Sequence, residues 1–82
     1  MDYNIIKIGK IRNINYTTGV GEIVTSKDKY LFRITADMPK DLESNDYVIF
    51  RAEQVHNQNI AFFVKKYTED NEKSLKLNRE NE

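Results

Sequence analysis

Apolar residues in this chain recur at intervals of two over five short runs. That period belongs to half-buried strands, not to helices. The first run, Ile5 to Ile14, is rich in β-branched residues and lacks a helix start signal. Its alternation is imperfect: Ile6, Ile8 and Ile14 share one parity, and Ile5, Gly9, Ile11 and Asn13 the other. A switching apolar face predicts a bulged or strongly coiled strand, with Gly9 as the natural bend. After a turn at 15–18, Gly19 to Val24 predicts a second strand with two alternate glycines. Such glycines admit a close backbone or a flat ligand, or simply relieve crowding in a coiled strand. Residues 25–29 read as a hairpin loop and Tyr30 to Ile34 as a third strand. Tyr30 and Phe32 are placed inward and Leu31 and Arg33 outward, because the other register buries Arg33.

A long connection, 35–45, holds the only proline, Pro39, and has room for a short helical turn near Lys40 to Glu43. Tyr47 to Val55 is the fourth strand. Its Tyr47 and Ile49 alternate with Val48 and Phe50, so one pair must leave the main core. Residues 56–59 are a polar turn, and Ile60 to Val64, running towards Tyr67, is the fifth strand. Phe62 and Phe63 are adjacent and are expected on opposite faces. The order predicts an all-β domain over 1–67, a small five-stranded Greek-key barrel of OB-fold type, with an SH3-like barrel as the alternative. Residues 68–82 carry only Leu75 and Leu77 among polar side chains, and read as a disordered tail or a nascent helix.

Composition narrows the chemistry. Eighty-two residues make one domain at most. A chain of that size buries only about 60% of its unfolded surface, so its core must be compact. There is no cysteine, hence no disulfide, thiolate metal site or thiol nucleophile. No apolar run reaches the roughly 20 residues of a membrane span, and Met1 to Asn4 lacks the features of a secretion signal. A cytoplasmic protein without membrane contact is expected. The one histidine, His56, falls in a polar turn, where an exposed structural role is the ordinary one. No Ser/His/Asp set, carboxylate pair or phosphate loop is visible, so neither an enzyme nor a bound cofactor or metal is expected. Nine each of Ile, Asn and Lys suggest an AT-rich genome, as in some low-GC bacteria and their phages.

Thirteen basic residues balance thirteen acidic ones, but unevenly. Residues 7–33 carry six cations against two acids, and residues 34–64 two against five. Neutrality is thus a sum of opposed patches. Chance scatter of surface charge produces such asymmetry, and so does a binding face.

The first two strands add a resemblance. Gly9-Lys10-Ile11-Arg12-Asn13-Ile14-Asn15, then Gly19-Val20-Gly21-Glu22-Ile23, resembles the opening of a bacterial cold-shock domain, G-x-V-K-W-F-N followed by K-G-F-G-F-I. The spacing from Gly9 to Ile23 needs no gap. Tyr30 to Ala36 resembles V-F-V-H-F-S-A after deletion of one loop residue. Leu42 to Phe50 is similar to L-x-x-G-x-x-V-x-F, and Ala61 to Val64 to A-x-N-V. The likeness covers roughly residues 5–66. It implies an OB barrel that binds single-stranded RNA or DNA on stacked aromatic rings. Those rings are absent from the matched positions, which here are Asn13, Ile14, Val20, Glu22, Leu31, Arg33 and Ile34. Glu22 adds a negative charge near the expected path of the strand.

Two functions compete. In the first, the barrel binds single-stranded nucleic acid weakly through Arg12, Arg33, Lys10, Lys27 and Lys29, with Tyr16 supplying a ring from the turn. Each of these cations taken singly has a solvated-surface reading as well. In the second, the aliphatic replacements Val20, Leu31 and Ile34 form an interface with a protein partner or in a homodimer. Such a module would serve as an inhibitor or accessory factor of a nucleic-acid enzyme, a step that rests on analogy.

Overall fold

A computed structural model describes residues 5–36 and 38–71. Five strands follow in order: β1 (Ile5–Asn15), β2 (Val20–Val24), β3 (Lys29–Arg33), β4 (Tyr47–Val55) and β5 (Gln58–Lys66). They close into a barrel in the spatial order β1-β2-β3-β5-β4. All neighbouring pairs are antiparallel except β3 and β5. A parallel pair requires a crossover, supplied here by the 34–46 connection and β4. That is the OB arrangement; an SH3-like barrel joins antiparallel neighbours throughout.

At about 3.3 Å per residue, β1 is roughly 36 Å long, and it serves two partners. Ile5 to Lys10 pairs with β4, and Lys10 to Asn15 pairs with β2. Gly9 lies just before this handover. A Cβ there would sit 2.6 Å from Ile23 Cγ2 and 2.9 Å from the Val24 carbonyl oxygen, so only glycine allows the approach. The bulge expected at Gly9 falls at Arg12 instead: Ile11 faces Ile23 and Asn13 faces Glu22, leaving Arg12 as the extra residue. Over Gly21, the space a side chain would need is filled by the Phe32 ring. The glycine therefore serves core packing, not the approach of a flat ligand.

The core is one cluster, in which Ile11, Ile23, Tyr30, Phe32, Val48, Phe50, Ala52, Ala61 and Val64 come from the strands. Met38 and Leu42, from the 34–46 connection, complete it. The chain near Lys40 to Glu43 forms turns and no helix. The Asp46 amide donates to the Glu43 carbonyl, and the Glu43 amide to the Asp46 carboxylate. These local bonds satisfy the backbone that a helical turn would otherwise satisfy. Tyr30 and Phe32 point inward and Leu31 and Arg33 outward, as the alternation predicts.

On β4 the pair that leaves the main core is Tyr47 and Ile49: the core cluster holds Val48 and Phe50 but not Ile49. Ile49 is nevertheless fully buried, while Tyr47 is exposed. On the outer surface Ile49 is flanked by Ile8 and Lys65 across the ladders. On β5 an expectation fails: Phe62 and Phe63 do not face opposite ways. Ile49 pairs with Lys65 and Arg51 with Phe62, so β5 carries one residue more than β4 between them. Ala61 and Val64 are buried, and both phenylalanines face outward. Period two fails across a bulge.

The polar turn shrinks to His56 and Asn57, both with positive φ (51° and 66°), between the paired residues Val55 and Gln58. Left-handed backbone at both centres is the geometry that matches the twist of a two-residue hairpin. Past β5, Asn71 donates its amide to Thr68 Oγ1 over a single helical turn. The rest of the expected tail, 72–82 with Leu75 and Leu77, lies outside the described residues. Among the described residues no helix is long and apolar enough to cross a membrane.

Candidate nucleic-acid interface

Directly opposed residues of neighbouring strands share a face. The ladders of β1, β2 and β3 therefore arrange the outward surface in three rows. Lys10, Val24 and Lys29 form one; Asn13, Glu22 and Leu31 the next; Asn15, Val20 and Arg33 the third. Ile60 of β5 extends the middle row beyond Leu31. Lys29 and Arg33 lie about 13 Å apart along β3 at the usual strand rise. The bulged Arg12 projects beside the middle row and is exposed.

Five of the cations and apolar residues expected at a binding face thus come together on the ladder rows: Lys10, Lys29, Arg33, Val20 and Leu31. Arg12 joins them through its bulge. Its Nε lies 3.7 Å from Glu22 Oε1, so the central acid of the face has a cation beside it. Lys10 leans the other way, with Nζ 5.8 Å from the centre of the Tyr47 ring. Lys27 sits in the β2–β3 loop, whose backbone is held by Thr25 Oγ1 accepting from the Lys27 and Asp28 amides.

Two expected residues have other work. Tyr16 donates its hydroxyl to the Leu42 carbonyl at 2.8 Å, which ties the β1–β2 turn to the 34–46 connection. Its ring remains half exposed. Ile34 is half-buried and packs against the core, so it does not belong to the outward apolar surface. It follows the last residue of β3, where strand alternation no longer fixes its direction. Tyr30 is a core group: burial, and secondarily the Asp28 charge, hold its phenol above the usual range.

An open groove of about 560 Å³ lies where β3 meets β5. The ladder joining those strands has a single pair, Leu31 with Ile60. Val20, Leu31, Arg33, Val55, Phe62 and Phe63 are among the residues that line the groove. The two phenylalanines, Val55 and the neighbouring Arg51 are missing from the sequence-based site. One signal for them was present: two small core-type residues, Ala61 and Val64, stand three apart. A regular strand cannot turn both inward, so a bulge was implied. Among the described residues no group of three or more His, Asp or Glu is placed to hold a metal ion.

No family model and no curated protein matches this chain.

Proposed function

We propose that this barrel binds single-stranded RNA or DNA weakly, as a divergent cold-shock-like domain. The carrying observation is the shared outward face of Lys10, Lys29 and Arg33, with Arg12 projecting beside them. Phosphates supply most of the affinity of such a face, and their contacts are insensitive to sequence. Glu22, which otherwise opposes an anionic strand, is offset by Arg12. Arg33 can meet either a phosphate or the plane of a base. The test is fluorescence anisotropy of labelled oligo-dT and oligo-U at low salt. Binding that weakens for both in Arg33→Gln supports the reading, and no binding to either ends it.

A second reading has an observation of its own. Val20, Leu31, Val55, Phe62 and Phe63 are each more than a third exposed and line one groove. Clustered apolar exposure of this kind also suits a protein partner or a second copy. Light scattering across a concentration series separates self-association from the first reading.

A further inference from the structure

Phe62 and Phe63 are neighbours in sequence and face solvent together. The strand bulge that permits this puts Phe63 in the left-handed region, at φ 56°. That backbone is costly for a bulky residue and persists where the surroundings impose it. The A-x-N-V pattern that Ala61 to Val64 resembles has asparagine at this position, a residue that tolerates the conformation. Here a ring takes the place, and burial does not explain it: Phe63 is 54% exposed and Phe62 37%. Arg51 of β4 braces the pair, with its guanidinium carbon 4.7 Å from the Phe63 ring centre and 5.9 Å from that of Phe62. Glu53 holds the Arg51 guanidinium at 2.8 Å.

We propose that Phe62 and Phe63 form a base-stacking ledge for a single strand whose phosphates lie on the β1–β3 cations. The ledge rests on the nucleic-acid reading above and gives it the rings that the resemblance leaves out. Charge selects the occupant. The ledge lines the same groove as Val20, Leu31 and Arg33. Arg33 in turn shares its outward face with Lys10 and Lys29. A single strand presents a repeating anion and a repeating flat ring, and so matches both the cations and the groove.

The chain has no tryptophan, so Phe63→Trp provides a sole indole reporter. Anisotropy of labelled oligo-dT and oligo-U reports binding, and indole emission reports stacking. The ledge predicts quenching that tracks the anisotropy. It also predicts that Phe62→Ala and Phe63→Asn each weaken binding roughly 5- to 150-fold, the range of one lost stacking contact. Phe63→Asn suits the backbone and keeps the test open if the tryptophan variant fails to fold. Binding without quenching, and unchanged in Phe63→Asn, overturns the ledge and leaves the phosphate-binding reading standing. No binding at low salt overturns both. Indole emission that responds to protein concentration and not to oligonucleotide assigns the groove to a second copy, and overturns the ledge.

Discussion

Positions 62 and 63 should respond in opposite ways to the same pair of substitutions. Phe63 has φ 56° and its neighbour Phe62 has ordinary extended backbone. Alanine and glycine both delete the ring, so comparing them removes the lost contacts with Arg51 and the groove. What remains is backbone. At position 63 a Cβ in the left-handed region costs about 1–2 kcal/mol, against about 0.4–1 kcal/mol that glycine loses through the freedom of the unfolded chain. Phe63→Gly should therefore be the more stable variant, by up to about 1.6 kcal/mol. At position 62 only the second effect operates, and Phe62→Gly should be less stable than Phe62→Ala by about 0.5–1 kcal/mol. For a domain of this size 1 kcal/mol moves the melting temperature by about 4–8 °C. Thermal unfolding followed by circular dichroism resolves that difference. The same sign at both positions would refute the bulge, and with it the shared outward face of the two rings.

Other variants probe other parts of the account. Gly21→Ala must displace the Phe32 ring, and should cost about 1–3 kcal/mol in urea unfolding. Leu31→Lys should leave stability within about 0.5 kcal/mol and tighten oligonucleotide binding, whereas Ile34→Lys should lose about 1–2 kcal/mol because Ile34 packs on the core. Equal effects of the two substitutions would contradict that placement. At the end of β5, Lys66 lies 2.7 Å from the Asp41 carboxylate, and its hydrogen bond holds that carboxyl below the usual range. A depressed carboxyl favours the fold above its unfolded value, and that contribution disappears as pH falls through the folded one. Thermal scans of the native chain and Asp41→Asn should therefore differ slightly at neutral pH and converge in acid, once the pH has fallen through the lowered range of this carboxyl.

Much of the barrel was legible because alternation and turn chemistry agreed. β4 runs from Tyr47 to Val55 as its pattern implies, and Arg33 fixes the register of β3 by being unfit for the core. The misses on β1 and β5 share a cause. Period two holds only within an uninterrupted ladder, and bulges at Arg12 and Phe63 break it. The first bulge turns an expected strand cation into a partner of Glu22. The second brings Phe62 and Phe63 to one side, and strand parity does not show that both line the groove. Ile49 shows a different limit: the burial of a residue on a barrel's outer surface depends on what packs over it, which strand parity does not record.

A face that holds a single strand by its phosphates shows itself in the dependence of oligonucleotide affinity on salt. Lys10, Arg12, Lys29 and Arg33 each meeting one phosphate give a slope of log K against log salt of about −2.8 for a single strand. Affinity for oligo-dT or oligo-U should then fall about 50-fold between about 50 and about 200 mM salt. A slope near zero, or no binding at the lower salt, would contradict a cationic face that holds single-stranded nucleic acid.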